Sequence, residues 1–246
     1  MCSLLTRDKA FHIRDEVFHM GDSDNGRLIK VGGGAVELID VMGDARTVVN
    51  AARVSMGKHV TEMSEADARL IRYLWEHEHT SPFRHVTLQF RIKAPVFVLR
   101  QWMKHQVGCA WNEISGRYVT FNDEVWLPQR WRAQSAKLKQ GSEGPLDDVD
   151  ALSASLIYQE AVTQSLMAYH HLLRLGVAKE QARMILPLSL MSECYWSASL
   201  HAIIHFLKLR LDLHAQEEIR DFARAVRSLV EQVEGLEYVL SVALKD

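Results

Sequence analysis

The feature that most constrains the fold is an alternating segment at residues 85–94, which reads HVTLQFRIKA. Its apolar residues occupy every second position: Val86, Leu88, Phe90 and Ile92. This period of two predicts a strand with one face in a core and the other facing polar surroundings. Pro95 follows directly and suits the first turn of a helix, which we expect to run to about His105.

The composition allows a sizeable core and provides no global charge that would attract a polyanion. The chain has 246 residues, of which 48% are hydrophobic, and its formal net charge is −2. This length suits one large domain or two small ones. The balance of charges indicates no nucleic-acid partner and no membrane partner, although local basic clusters can still bind a small anion.

The cysteines and the first residues bear on the cellular compartment. Cys2, Cys109 and Cys194 are too few and too scattered for a disulfide framework or a metal-binding cysteine pair, so we expect reduced thiols. Charged residues between Asp8 and Glu16 leave no apolar core for a signal peptide, and no apolar run approaches the length of a membrane span. We therefore expect a cytoplasmic protein.

The patterns along the sequence indicate how the chain is organised into an arm, a domain and its secondary-structure elements. We expect a polar N-terminal arm at residues 1–30, a single domain at 31–246, and a surface excursion at 129–147 that is rich in Lys, Gln, Ser and Gly. Helices are predicted at residues 64–79, 148–175, 179–186, 199–211 and 215–240, and extended segments at 30–43, 117–128 and 186–199. This mixture predicts an α/β (α+β) fold, with a mixed β-sheet flanked by helices.

Three clusters carry the side chains that are able to do chemistry. Their sequences are KHQVGCAWNEISGRYV at 104–119, HEHTSPFRH at 77–85 and SLHAIIHFLKLRLDLHAQ at 199–216. The histidine spacing matches no common metal-ligand pattern, and the glutamate of HExxH is absent. Each residue alone has a structural explanation, such as a helix-surface charge. Together the arginines, lysine, histidines and hydroxyls favour an anionic small molecule such as a nucleotide.

Several ordered motifs between residues 45 and 225 point to one known family. The segment RQWMKHQVGCAWNEISGRYV is similar to the pattern RQWxRHRxxSxNExSxRY, apart from one extra residue between His105 and Asn112. Three further blocks agree: AARVSMG, HTSPFRH, and the segment from GVAKEQARMILPLSL to LDLHAQEEIR. In these motifs the chain resembles the flavin-dependent thymidylate synthases, and several motifs in order are far more specific than one short pattern.

The resemblance implies a function and a set of site residues. It implies a homotetramer with shared active sites and FAD bound where subunits meet, and methylation of C5 of dUMP to give dTMP, with methylenetetrahydrofolate as carbon donor and NADPH as reductant. Catalytic roles are implied for Arg210, Ser115 and His79, with Arg210 near the uracil ring. The implied cofactor contacts are Ser55, His79, Ser81, Lys104, His105, Gln106, Glu113, Ser199, His201 and His205. The implied substrate contacts are Gln101, Lys104, Glu113, Ser115, Gly116, Arg117, Arg183 and Arg210.

The chain departs from the family pattern at four of these positions. Lys104 and Gln106 stand where the family has the arginines of RHR, and Ser199 and His201 stand where it usually has Asn and Arg. These departures leave two alternatives open, which are C5 methylation of UMP or a related nucleotide in a nucleoside-antibiotic pathway and a non-catalytic nucleotide-binding member of the family. The histidines leave a third alternative open, which is a metal-dependent hydrolase.

Cys109 lies inside the central motif and has two interpretations. A cysteine nucleophile that activates C6 of the pyrimidine is the mechanism of the other, unrelated thymidylate synthases. A small buried thiol is the alternative, and the resembled family uses no such nucleophile. The resemblance therefore predicts that Cys109 takes no part in the chemistry.

Overall fold

A five-stranded antiparallel sheet forms the centre of the protein in a computed structural model, which describes residues 26–136 and 141–245. In chain order the strands are β1 (Leu28–Val31), β2 (Gly34–Met42), β3 (Thr87–Pro95), β4 (Cys109–Glu113), β5 (Arg132–Gln134), β6 (Ser142–Pro145) and β7 (Met191–Ser199). The sheet has the order β1-β2-β3-β7-β4, whereas β5 and β6 form a separate hairpin. Every pair of neighbouring strands in the sheet is antiparallel.

The predicted strand is the centre of this sheet. Val86, Leu88, Phe90 and Ile92 are all fully buried, and β3 pairs with β2 on one side and with β7 on the other. The polar residues of the same strand lie on the opposite face, where the Gln89 side chain donates a 3.0 Å hydrogen bond to Ser197 on β7. The period of two in the sequence is confirmed.

Helices surround the sheet and supply the other half of the core. They are α1 (Ala45–Arg53), α2 (Glu65–Glu76), α3 (Val96–Trp102), α4 (Asp148–Arg174), α5 (Lys179–Ala182), α6 (Leu200–Arg210), α7 (Glu217–Val230) and α8 (Leu236–Ala243). Short 3-10 helices lie at Val54–Met56, Ser81–Arg84 and Arg183–Ile185. The predicted α+β fold class is confirmed, although the sheet, which was predicted to be mixed, is antiparallel at every strand pairing. Within the described ranges, none of the helices is both long and apolar enough to cross a membrane.

An aromatic cluster joins the sheet to two helices. The Trp102 ring at the end of α3 stacks on Phe206 of α6 at 4.7 Å between centroids, and it meets Trp196 of β7 edge-on at 5.3 Å. Trp111 of β4 stacks on Trp196 at 5.5 Å. Large aromatic side chains bury much apolar area and prefer such geometries. The cluster therefore fixes the positions of α3 and α6 relative to β4.

The predicted helix at 215–240 is wrong as a single element. The structure has α7 and α8, separated at Gly235, whose φ is +72°. A Cβ atom on Gly235 would lie 2.7 Å from the Cβ of Ala45, so the chain turns where glycine permits close packing on α1. The apolar period continues through the break, which is why the two helices are predicted as one.

Two other predicted boundaries also differ from the structure. The helix after Pro95 ends at Trp102, three residues early, and the N–H of His105 bonds to the Trp102 carbonyl at 3.0 Å in the turn that follows. The segment 117–128, expected to be extended, begins in a turn, and its pairing among the described residues is a single bridge between Val125 and Leu190. The predicted helix at 179–186 is the short α5 followed by a 3-10 turn.

The arm and the excursion are partly described. β1 begins at Leu28, so the sheet includes the last residues of the predicted arm, and residues 1–25 lie outside the described residues. The excursion at 129–147 contains the β5–β6 hairpin. Arg130 and Arg132 anchor it to α7 through ion pairs with Glu217 and Glu218.

Candidate functional site

The first group of predicted site residues surrounds Arg210 at the end of α6. Arg210 Nε donates to His105 Nε2 at 3.1 Å, and Arg210 Nη2 donates to the Gln101 carbonyl at 3.3 Å. Arg210 Nη1 makes no hydrogen bond to any described residue. The His205 ring meets the His105 ring edge-on at 5.8 Å between centroids. We call Gln101, His105, His205 and Arg210 the Arg210 group.

His105 is held as a neutral hydrogen-bond acceptor. The sequence places it on the polar face of its helix, but it is only 9% exposed, because the helix has ended and the chain turns inward. An arginine can only donate, so Nε2 of His105 must carry a lone pair. Burial, then the charge of Arg210 and the proximity of His205, lower the pKa of His105 to about 4. The imidazole is therefore uncharged at neutral pH.

This neutral histidine predicts a pH-dependent loss of stability. Between pH 6.5 and 4 the unfolded chain gains a proton on His105 that the folded chain does not, so the free energy of unfolding falls as the pH falls. Glutamine does not titrate in this range, and its amide oxygen can also accept from Arg210. We therefore expect His105→Gln to lack this fall in the free energy of unfolding, which amounts to about 1–3 kcal/mol in the wild type. Urea titrations at pH 7, 6 and 5 measure it; parallel curves for the two proteins would contradict the assignment.

The second group lies on a loop at residues 114–124. Both ends of this loop are held by β7: the Ile114 N–H donates to the Glu193 carbonyl at 2.9 Å, and the Met191 N–H donates to the Glu124 carbonyl at 2.8 Å. Inside it, Arg117 donates to Ser115 Oγ through its backbone N–H and its Nε, at 3.3 and 3.4 Å. Hydrogen bonds therefore hold the loop in place at both ends and at the turn inside it.

Arg183 lies against this loop. Gly116 is buried, and a Cβ atom on it would collide with the Phe121 ring and lie 3.2 Å from Arg183 Cδ. Lys179 on α5 donates to the Tyr118 carbonyl at 3.0 Å, which fastens the same turn to the helix before Arg183. The structure thus brings together five residues, which we call the loop group: Glu113, Ser115, Gly116, Arg117 and Arg183.

A cavity of about 180 Å³ lies between the loop and β7. The buried Lys93 of β3 lines it and forms an ion pair with Glu124 at 2.5 Å. Small-molecule sites usually have volumes of about 300–1,000 Å³, so this cavity alone is too small to enclose a nucleotide. Within the loop group, the side chains of Glu113, Arg117 and Arg183 are exposed at the surface.

The Arg210 group and the loop group are separate within one chain. β4 begins beside the first group and ends at Glu113 in the second, so the length of the strand lies between them. Among the described residues, no hydrogen bond, ion pair or ring contact joins a member of one group to a member of the other. One chain does not bring all predicted substrate residues together.

A third group contains predicted cofactor residues near α2 and α6. The 3-10 helix that begins at Ser81 packs between α1 and α6, and His79 precedes it on the surface. The His201 ring lies 6.2 Å from the Trp75 ring, and Lys208 Nζ lies 4.9 Å above that ring. Burial, then the charge of Arg84, lower the pKa of His201. We call His79, Ser81 and His201 the histidine group.

The remaining predicted cofactor residues are distributed around the turn after α3 and at two helix ends. Lys104 is exposed and makes no hydrogen bond or ion pair with a described residue, whereas the exposed Gln106 amide donates back to the Met103 carbonyl. Ser199 caps α6, where its Oγ accepts from the Ala202 N–H at 3.3 Å. Ser55 is exposed beyond α1, and its Oγ donates to the Ala52 carbonyl at 3.1 Å.

The segment between His105 and Asn112, which is one residue longer than in the family pattern, contains a tight turn and the start of β4. Gly108 has a φ of +75°, and a Cβ atom on it would lie 2.9 Å from Ser199 Oγ. The turn therefore needs glycine both for its backbone conformation and for its close approach to α6.

Two residues that contact the loop group are absent from the predicted site. Ser192 on β7 donates to the Glu113 carboxylate, and Lys179 fastens the turn after Ser115. No local pattern in the sequence singles out either residue. Ser192 and Glu113 are 79 positions apart, so the signal is the strand pairing of β4 with β7, which becomes visible only in the fold.

The cysteine and histidine hypotheses can be compared with the geometry. Burial raises the pKa of the Cys109 thiol, which opposes the thiolate that a nucleophile requires. Cys109 and Cys194 are free thiols, and Cys2 lies outside the described residues. Within residues 26–136 and 141–245, no three His, Cys, Asp or Glu side chains are arranged so that they could hold a metal ion.

Comparisons with known proteins agree with these motifs. Residues 37–234 match the family described as thymidylate synthase complementing protein. The flavin-dependent thymidylate synthase of Thermus thermophilus is 48% identical over 199 residues, which cover 81% of this chain and 72% of that protein. The flavin-dependent thymidylate synthase of Kosmotoga olearia is 44% identical over 197 residues, which cover 80% of this chain and 84% of that protein.

A solved structure shares the fold. The crystal structure of a UMP/dUMP methylase, PolB from Streptomyces cacaoi, bound with 5-Br dUMP, has a TM-score of 0.76 and 28% sequence identity. The match covers 87% of this chain and 96% of that chain. The structural match thus defines the fold, which is that of the PolB methylase. The sequence match defines the family: the chain belongs to the thymidylate synthase complementing protein family, that of the flavin-dependent thymidylate synthases.

Proposed function

We propose that this protein is an FAD-dependent enzyme that methylates C5 of dUMP to give dTMP. Methylenetetrahydrofolate donates the carbon and NADPH is the reductant. The observation that carries the proposal is the family match over residues 37–234, because every proposed site residue lies within that range. The 48% identity to a flavin-dependent thymidylate synthase supports the same activity.

The side chains present fit an anionic, planar cofactor such as FAD. The histidine group, His205 and Lys104 offer hydroxyl, imidazole and ammonium groups at or near the surface, which suit the phosphates and polar ring atoms of FAD. Residues proposed to hold it are Ser55, His79, Ser81, Lys104, His105, Gln106, Glu113, Ser199, His201 and His205. Reduction of the transferred carbon to a methyl group is the chemistry that FAD supplies when bound.

Arg210 is proposed to stabilise charge on the pyrimidine. C5 of uracil is a weak nucleophile, and it becomes a stronger one when the ring takes on enolate character, which places negative charge on a ring carbonyl oxygen before C5 attacks. His105 and the Gln101 carbonyl fix two edges of the guanidinium, while Nη1 has no partner among the described residues. A cation fixed before the reaction lowers the barrier without reorganisation, and the proposed partner of Nη1 is a uracil carbonyl oxygen.

The loop group is proposed to hold the rest of the nucleotide. Arg117 and Arg183 are exposed guanidinium groups, whose planar forks suit a phosphate. Ser115 offers a hydroxyl beside them, and Glu113 accepts hydrogen bonds from N–H or O–H groups of the nucleotide. The buried Gly116 allows the turn to pack on Phe121 and keeps these side chains in one place.

We propose a homotetramer in which two chains complete each site. The separation of the Arg210 and loop groups supports this, and so does α4, which exposes large apolar side chains that a partner chain would cover. These are Val149, Leu152, Leu156, Ile157 and Met167. A cytoplasmic location remains part of the proposal, as expected for an enzyme with free thiols.

UMP is a second candidate substrate. The PolB methylase also matches in a structure bound with 5-Br UMP, at 28% identity and a TM-score of 0.76. UMP and dUMP differ by one 2′-hydroxyl, so the protein can discriminate between them only through a single hydrogen bond or a single steric clash at that position.

A substrate panel tests the proposal. Purified protein is assayed with radiolabelled methylenetetrahydrofolate, NADPH and either dUMP or UMP, and its absorbance near 450 nm is followed. We expect a flavin band that NADPH bleaches and label transferred to dUMP. Preferential labelling of UMP would favour the second candidate, nucleotide binding without labelled product would indicate a non-catalytic family member, and a colourless protein with stoichiometric zinc would indicate a hydrolase.

Cys109→Ala is expected to keep most of the methylase activity. The raised pKa of the thiol leaves little thiolate at neutral pH, and the proposed reaction needs none. The measurement is turnover with dUMP at matched flavin occupancy, together with mass spectrometry of the wild-type protein after incubation with nucleotide. Loss of turnover in a folded, flavin-loaded variant, or a covalent adduct on Cys109, would mean that the thiol is the nucleophile.

A further inference from the structure

One buried hydroxyl is directed at a proposed substrate-binding carboxylate. Ser192 on β7 is only 3% exposed, and its Oγ donates a 2.6 Å hydrogen bond to Oε1 of Glu113. Glu113 is exposed at the end of β4. A buried, immobile donor thus holds a carboxylate that faces the surface.

Strand register explains why these two side chains meet. Glu113 is paired with Cys194, and paired residues of antiparallel strands project to the same face of the sheet. Ser192 lies two residues along β7 from Cys194, on that same face, and within the diagonal reach of a glutamate side chain. The N–H of Ile114, directly after Glu113, bonds to the Glu193 carbonyl, which fixes the backbone beside the pair.

The geometry leaves the carboxylate available to a ligand. Glu113 makes no other hydrogen bond to a described residue, so Oε2 and the second lone pair of Oε1 retain their capacity to accept. A glutamate at the surface normally samples several rotamers. One short hydrogen bond to a buried donor removes much of that freedom before the ligand arrives, which reduces the entropy lost on binding.

We propose that Ser192 is a positioning residue that orients the Glu113 carboxylate toward an N–H or O–H group of the pyrimidine nucleotide. This inference rests on the proposed function, because it assumes that Glu113 contacts the nucleotide. Ser192 itself is buried and acts through Glu113. Its contribution is therefore to nucleotide affinity, and it depends on the hydroxyl and not on the volume of the side chain.

Two variants of equal shape isolate the hydroxyl. Ser192→Thr keeps the donor and Ser192→Val replaces it with a methyl group. The dissociation constant for dUMP is measured by calorimetry on the flavin-loaded protein. We expect Ser192→Val to bind dUMP about tenfold more weakly than Ser192→Thr, which corresponds to one hydrogen bond to a charged group. Equal affinities for the two variants would overturn the proposal.

A double-mutant cycle separates positioning from general packing. Glu113→Ala should weaken dUMP binding, and adding Ser192→Val to it should cause no further loss, because the hydroxyl then has no acceptor to orient. Additive losses would show that Ser192 acts independently of Glu113 and would overturn the proposal. Ser197→Ala, on the same strand but bonded to Gln89, is the matched control and should leave the affinity unchanged.

The failure of this inference is distinguishable from failure of the proposed function. If the wild-type protein binds neither dUMP nor UMP, both are overturned. If the wild type binds dUMP and all Ser192 variants bind it equally, the methylase proposal stands and the positioning role is rejected. Thermal midpoints of the variants, measured without nucleotide, identify any variant that is misfolded, and a comparison of Ser192→Ala with the wild type then replaces the Thr and Val pair.

Discussion

Replacing Arg210 with alanine is expected to abolish detectable methylation while the fold survives. The variant loses the proposed contact to the uracil carbonyl, which as a charged hydrogen bond is worth about 1.5–3 kcal/mol, so dUMP affinity should fall at least about tenfold. Removing one donor from developing negative charge typically costs about a hundredfold to a thousandfold in turnover. Both losses act on the same reaction, which is why this is the largest effect we expect.

Two control variants accompany this prediction. Arg210→Lys keeps the charge but cannot bond to His105 and Gln101 at once, so it should be intermediate. Arg224→Ala removes an exposed arginine that pairs with Asp221 on α7 and should leave affinity and turnover unchanged. Calorimetry and labelled-folate assays measure both quantities. If both the dissociation constant and the turnover of Arg210→Ala were unchanged, its guanidinium would have only a structural role.

Replacing Lys104 and Gln106 together with arginine is expected to tighten FAD binding. Lys104 offers a compact charge and Gln106 none, whereas arginine offers a planar fork of donors to a phosphate. Neither exposed side chain is fixed by an ion pair, so an arginine at either position costs no existing salt bridge among the described residues. One added charge-assisted bond corresponds to a gain of about tenfold to a hundredfold in affinity.

Fluorescence titration of the two apoproteins with FAD measures this gain. Gln232→Arg adds a positive charge on the exposed turn between α7 and α8 and controls for a general electrostatic attraction. If the double variant binds FAD as the wild type does, the turn around Gly108 directs residue 106 away from the phosphates. We also expect the wild-type protein to purify with incomplete flavin.

Local patterns in the sequence predicted those strands and helices whose conformation is determined by residues close to one another in the chain. β3 is an example, since the alternation of Leu88, Phe90 and Ile92 is enough to define both its conformation and its buried face. The break between α7 and α8 could not be predicted in this way. Glycine is a local signal for a helix end, but the apolar period continues past Gly235, and the packing of Gly235 against Ala45, 190 positions away, is visible only in the fold.

The same distinction applies to the candidate site. The motifs identified the residue types at positions 100–119 and 199–216, and the structure brings several of them together. They could not indicate that His105 is a buried, neutral acceptor for Arg210, because that hydrogen bond joins residues 105 positions apart. The ionisation state of His105 follows from this pairing and from burial, neither of which is visible in the sequence.

The location of β7 has a consequence for how the chain acquires its binding surface during synthesis. Backbone hydrogen bonds to Met191 and Glu193 close the loop at 114–124. A hydrogen bond from the Gln89 side chain to Ser197, 108 positions later, joins β3 to β7. A nascent chain that has emerged only through β4 therefore lacks the strand that orders the loop. Because such distant pairings form late, ligand recognition should appear only when most of the polypeptide has left the ribosome.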